Sequence, residues 1–218
     1  MAAYREAIWL SPDDADAHHK LGVILRDGRH EYDAAAAEFR EAIRLQPDHH
    51  WSHEDLGGIL NHQGKREEAI AEFRTSTRTD ALCTRSHNTL AWTLAFPLKR
   101  PQREYDEALI HARKAVEIDP GNGSLVNTLM LAEYRASHWA ESIAAGERSM
   151  ALTNGGDAND WFFLAMAHSQ KGNKDEARKW FDKSVAWTTE KAPNSAELRQ
   201  FWTEAAELVG QPGPDTSG

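Results

Sequence analysis

An all-α solenoid of stacked antiparallel helix pairs, closed at its C-terminal end by a capping helix, is the fold class this 218-residue chain predicts. Three observations carry that prediction. A phrase returns about every 34 residues, a period typical of stacked helical arrays. It reads Ala35-Ala36-Ala37-Glu38-Phe39-Arg40-Glu41-Ala42 and then Pro47, returns as Ala69-Ile70-Ala71-Glu72-Phe73, and again as Ala108-Leu109-Ile110-His111-Ala112-Arg113-Lys114-Ala115 with Pro120. Upstream of each phrase a small residue follows a leucine, as Leu21-Gly22, Leu56-Gly57 and Leu90-Ala91, with Leu164-Ala165 later in the chain. Finally, Ala, Glu and Arg are common and β-branched residues scarce, a mixture that favours helix.

Each unit reads as a helix A and a helix B joined by a short turn. Residues 1–12 hold an orphan helix B over 2–10, with Tyr4, Ala7 and Pro12 in register. Residues 13–190 hold five pairs, at 14–45, 49–79, 83–119, 123–153 and 157–187. In each helix B the small and aromatic positions recur at offsets of four and three, which puts them on one face. Small residues let A and B approach, an aromatic fills the space beside them, and a proline stops helix B because it has no amide hydrogen to continue the ladder.

The units are not uniform. The first carries one extra residue near His30, and the second has Ser76 and Ala81 where Ala and Pro are expected. The third is lengthened through Phe96-Pro97-Leu98-Lys99-Arg100-Pro101; its two prolines predict an extended loop after a helix A ending near Ala95. The fourth puts Met130 at the glycine position and Gly146 at the aromatic one, so its helices should pack differently. After the fifth, Ala192-Pro193-Asn194-Ser195 leads into a cap over 195–208, with an apolar stripe of Leu198, Phe201, Trp202, Ala205 and Leu208. An array needs such a cap, because its last repeat would otherwise leave an apolar face in water. The Gly- and Pro-containing tail, 209–218, is expected to be disordered. The N-terminal end starts halfway through a repeat, so either a longer array precedes it or another chain covers that first helix, which gives a route to self-association.

Charge and composition exclude several function classes. A net charge of -9 argues against nucleic acid, whose phosphates call for a basic stripe, and against anionic membrane surfaces. Cys83 is the only cysteine, so there is neither a disulfide framework nor a cysteine-based zinc cluster. No stretch approaches the ~20 apolar residues that span a bilayer, and the first residues carry no signal-peptide pattern. A cytoplasmic location is the default expectation.

Eleven histidines invite a metal reading, above all His49, His50 and His53. The repeats offer a simpler account. His18, His53 and His87 each stand three residues before the Leu of the Leu-Gly or Leu-Ala pair, which makes them packing residues; no recognisable zinc set is complete. No Gly-rich phosphate loop, nucleophile elbow or kinase motif set is present. Glu67-Glu68 and Asp175-Glu176 fall in first turns of B helices, where they favour the positive helix end, and Gly155-Gly156 reads as a turn. Neither a catalytic set nor a cofactor is expected.

The pattern of Leu-Gly in helix A, then Ala, aromatic, Ala and Pro in helix B, resembles the tetratricopeptide repeat over roughly residues 1 to 190. That resemblance implies a right-handed superhelix whose concave groove is lined by the A helices, and a non-catalytic scaffold that binds a peptide or protein segment there. Positions two, five, nine and twelve of each helix A then point into the groove. They are Asp16, His19, Val23 and Arg26; Trp51, Glu54, Gly58 and Asn61; Arg85, Asn88, Trp92 and Ala95. The last two repeats give Ser124, Asn127, Leu131 and Tyr134, then Asn159, Phe162, Met166 and Ser169. Arg26, Trp51, Asn61, Arg85, Asn88, Trp92, Asn127, Tyr134 and Phe162 are the side chains suited to holding an extended peptide by amide bonds and stacking. For Trp92, packing on the 96–101 loop is an equal alternative, and Trp51 and Phe162 could instead seal neighbouring repeats.

The family's grip on acidic chaperone C-termini uses positions held here by His19, Val23, Asp55, Arg85 and Thr89. Only Arg85 fits, and Asp55 would repel a carboxylate, so that ligand is not expected. The segment around Trp139 and Asp160-Trp161-Phe162-Phe163-Leu164-Ala165-Met166-Ala167-His168 also looks like arrays attached to some bacterial serine/threonine protein kinases, and similar arrays precede glycosyltransferase domains. The alternative reading is therefore the C-terminal regulatory array of a longer enzyme.

Overall fold

The computed structural model describes residues 9–96 and 99–214. Among them are eleven α-helices and no strand: α1 (Ala15–Arg29), α2 (Tyr32–Leu45), α3 (His50–His62), α4 (Arg66–Thr79), α5 (Thr84–Ala95), α6 (Gln102–Ile118), α7 (Gly123–Arg135), α8 (Trp139–Leu152), α9 (Ala158–Gln170), α10 (Lys174–Lys191) and α11 (Ala196–Val209). Trp9 and Leu10 are also helical and exposed; the rest of the orphan helix lies outside the described residues, as do Pro97, Leu98 and residues 215–218. The chain divides into two compact units, Met1–Thr93 and Leu94–Gly218.

In the first unit, α1 packs on α2 and α3 on α4. Asp14 caps α1 by accepting from the Ala17 amide at 3.0 Å, one of the donors a helix start leaves unpaired. The extra residue of this repeat appears as His30, left-handed at φ 56°, which ends α1. A Cβ built on Gly22 would lie 2.6 Å from Cε1 of Phe39, and one on Gly57 2.7 Å from Cε1 of Phe73. Only glycine fits there, and each ring is fully enclosed, worth about 1.5–3 kcal/mol of burial. Ser76, standing where alanine is expected, donates to the His50 carbonyl at 3.0 Å and lies 2.8 Å from Ser86 Oγ, so its buried hydroxyl is partnered.

In the second unit, α7 packs on α8 and α9 on α10. The fourth repeat does pack differently, and the change is a reversal. Met130 sits in helix A where glycine stood before, and its Cε would be 2.7 Å from a Cβ on Gly146 in helix B. Large and small have exchanged helices, and the space stays filled. Asp157 and Asp160 close a reciprocal capping box at the start of α9.

Helix α11 is the cap. It packs on α9 and α10, burying Leu198, Phe201, Ala205 and Ala206; Phe201 meets Phe163 edge-on at 4.6 Å and Phe96 at 5.3 Å. Its other anchor is ionic. Arg135, at the end of α7, holds both Glu204 oxygens, Nη2 to Oε2 at 2.8 Å, while its Nε donates to the Ala95 carbonyl at 3.0 Å. Burial lowers the pKa of that guanidinium, but Glu204 outweighs it and the net direction is up. Trp202, expected in the apolar stripe, is half-buried; its indole nitrogen donates to the Pro212 carbonyl at 3.3 Å and ties down part of the tail expected to be disordered.

Candidate functional site: the A-helix face of the first unit

Helices α1, α3 and α5 bring together most of the expected polar groove positions of the first three repeats. Their centre is Asp55, whose side chain is only 6 % exposed. Its Oδ1 accepts from Arg26 Nη1 at 2.6 Å and Arg85 Nη2 at 2.8 Å, and its Oδ2 lies 3.0 Å from His19 Nε2. Three donors on the two flanking A helices therefore converge on one carboxylate. The neighbouring Glu54 is also buried and accepts from Arg85 Nε and from the Cys83 thiol. Arg26 further binds Asp27, which is the largest influence raising its pKa, against burial and with Asp55; Asp27 is correspondingly lowered.

Beside this network stands an aromatic cluster. The Trp51 side of α3 holds imidazoles of His50 at 4.3 Å, His49 at 5.7 Å and His19 at 6.4 Å between ring centroids. Trp51 remains 50 % exposed, unlike the enclosed rings of the core. One helical turn beyond Glu54, a Cβ on Gly58 would meet nothing within 4 Å, so this part of the face is open. His49 hydrogen-bonds Asp16 at 3.0 Å, and that bond leads the effects that lower the Asp16 pKa. Asn61, Asn88 and Trp92 are half-buried, and the enclosed Asn88 Oδ1 accepts no hydrogen bond.

The corresponding positions of the second unit have a different fate. Phe162 is 0 % exposed and Tyr134 nearly so, and both belong to the core instead of lining an open surface. Phe162 packs against Phe181 with centroids 6.4 Å apart, and Tyr134 against Trp139 at 5.3 Å. Burial, then the nearby Glu204, pushes the Tyr134 phenol up to about 12. Asn127 is half-buried and donates its amide to Asp160 at 2.9 Å. The cap also reaches this face. Glu204 reaches the end of α7, and Ser169 of α9 donates to the Leu208 carbonyl at 2.8 Å.

The histidines expected to pack also carry hydrogen bonds that the sequence reading missed. His18 lies 2.7 Å from Glu38 and 3.2 Å from the Pro12 carbonyl; His53 lies 2.6 Å from Glu72 and 3.0 Å from the Pro47 carbonyl. Each imidazole thus joins helix A, helix B and the preceding turn. The signal was present, since Glu38 and Glu72 both stand one residue before the phrase's aromatic. Burial pulls the His53 pKa down, but its bonds to Glu72 and Pro47 outweigh that and the net shift is upward. Among the described residues no three His, Cys, Asp or Glu side chains are grouped to hold a metal ion. Nor is any described helix long and apolar enough to cross a membrane.

Two family models match the chain, both described as the tetratricopeptide repeat, at residues 25–81 and 161–190. The chain contains tetratricopeptide repeats. Solved structures of similar fold agree. The tetratricopeptide protein YrrB superposes with a TM-score of 0.74 at 16 % identity, covering 91 % of this chain and 96 % of that one. MamA gives 0.66 at 18 %, covering 83 % and 95 %, and Pseudomonas aeruginosa pilF gives 0.67 at 19 %, covering 92 % and 86 %. Sequence comparison with curated proteins gives no match. The tetratricopeptide fold is that of a protein-interaction scaffold, and its Leu-Gly and aromatic positions are the ones that Gly22, Phe39, Gly57 and Phe73 fill here.

Proposed function

We propose that this tetratricopeptide protein is a non-catalytic scaffold that holds an extended segment of another protein on the A-helix face of its first unit. The half-exposed Trp51 carries the reading. A large aromatic left in water beside buried, oriented polar groups is the composition of an interface hot spot, where apolar area and fixed hydrogen bonds act together. Gly58 keeps the adjoining surface open enough for a backbone to approach. The similar protein YrrB is described as having an unusual peptide-binding site, which supports peptide recognition as a use of this fold.

The test is to pan a random peptide library against the full chain and titrate the selected peptides by calorimetry. Trp51→Ala is expected to weaken them about tenfold or more, as for a central aromatic anchor, with the helical circular dichroism unchanged. Selected peptides that bind the variant as tightly as the wild type would remove this face from consideration.

A further inference from the structure

The Asp55 carboxylate occupies a position normally expected of a ligand. Donors from two flanking A helices, His19 and Arg26 on α1 and Arg85 on α5, converge on it. Such a cradle of converging cations is the arrangement that grips a carboxylate arriving from outside, by charge-assisted hydrogen bonds. Here the carboxylate is built in. An acidic side chain or a chain terminus would have to displace a buried carboxylate from its partners, and that carboxylate would then stand uncompensated.

We infer that Asp55 sets the sign of charge this face accepts, closing it to acidic segments and fitting it to a segment that carries arginine or lysine. The inference rests on the peptide-holding role proposed above. Charge complementarity points to that occupant. Asp16, Asp27, Glu54 and Asp55 bring four carboxylates to the face, against the guanidiniums of Arg26 and Arg85 and the Lys20 ammonium, which acts on Asp16. The balance stays negative, in a chain of net charge -9.

One of those cations is also open to solvent. The Arg85 side chain is 60 % exposed although the carboxylates it binds are buried, and it shares Asp55 Oδ1 with Arg26. An incoming guanidinium can take its place over Glu54. Trp51 lies one helical turn before Glu54 on α3, and its exposed ring is the stacking surface a guanidinium prefers.

The experiment compares two short, acetylated peptides on the full chain at one ionic strength. One alternates Arg and Ala and is amidated; the other alternates Glu and Ala and ends in a free carboxylate. The wild type is expected to bind the first about tenfold or more tightly than the second, and Trp51→Ala to weaken it. Asp55→Asn, which keeps the shape and leaves Arg26 to Asp27 and Arg85 to Glu54, should erase or reverse the preference. Glu190→Gln removes one exposed charge from α10 and controls for net charge; it should leave the preference in place.

Equal binding of the two peptides by the wild type, or a preference for the acidic one, overturns the inference. So does an Asp55→Asn preference matching that of Glu190→Gln. In each of those cases Trp51-dependent binding would leave the peptide-holding role standing. Binding of neither peptide, or binding indifferent to Trp51→Ala, removes both.

Discussion

In the first unit the groove positions of the A helices include charged residues and a half-exposed tryptophan; in the second, Leu131, Tyr134, Phe162 and Met166 stand at the same positions and are buried. Positions two, five, nine and twelve hold Trp51, Glu54, Gly58 and Asn61 in the second repeat, and Asn159, Phe162, Met166 and Ser169 in the fifth. Glu54 is buried and ion-paired, whereas Phe162 and Met166 are buried among hydrocarbon. The difference teaches that a repeat position does not determine its own role. What lies over it also counts: α11 packs on α9, where Ser169, at an expected groove position, donates to the Leu208 carbonyl.

The largest effect that would break this contrast is removal of the ionic anchor of the cap. Arg135→Met leaves Glu204 half-enclosed without its partner and should cost the second unit about 3–5 kcal/mol. Urea unfolding followed by hydrogen exchange should show the loss in α9 to α11, and an unchanged midpoint would mean that the apolar contacts of Phe201 hold the cap alone. Next come the two glycines. Gly57→Ala drives a Cβ into a rigid ring and is expected to cost about 1–3 kcal/mol by overpacking, more than the ~1 kcal/mol alanine gains in a helix. In Gly146→Ala the nearest atom is the end of a flexible methionine, so that variant should melt closer to the wild type. Equal shifts in melting temperature would count against the reversed packing.

A smaller effect follows from the His53–Glu72 clamp. Since the folded pKa of His53 lies above its usual 6.5, folding favours the imidazolium. Its contribution is complete below about pH 6.5 and is lost as pH rises through the folded value. Glu72→Gln should therefore destabilise by about 1 kcal/mol in mildly acidic buffer and by less in mildly alkaline buffer. A difference from the wild type that grows with pH would reverse the assignment. Smallest of all, Trp51→Ala should change stability by no more than about 0.5 kcal/mol, because half of that ring is already in water. A large loss would make Trp51 a seal between repeats, the alternative its sequence position allows.

Much of the fold was legible because the contacts that define a tetratricopeptide pair are local. Gly22 meets Phe39 and Gly57 meets Phe73 within one repeat, so a single period displays both partners. The Gly146 and Met130 exchange was visible only as two irregularities, because a position-by-position reading does not show that each compensates for the other. The clamp glutamates recur in the phrase, yet nothing in the sequence tells a solvent-facing Glu72 from one bound to His53. The site was harder still. Asp55 draws on residues 36, 29 and 30 positions away, and it lies outside the four groove offsets. Tyr134 and Phe162 lie in the core against Trp139 and Phe181, partners that four fixed groove offsets do not reveal.

The shared oxygen of Asp55 also bears on how the first unit comes apart. Stacked repeats are ordinarily coupled only to their nearest neighbours, so they can fray from one end. Asp55 Oδ1 receives Arg26 from the first repeat and Arg85 from the third, placing one atom of the second under the control of both. Losing either outer repeat strips a donor from a buried charge, so the free energy of fraying at one end depends on the state of the other. Helices α1, α3 and α5 are thereby tied together through a single carboxylate.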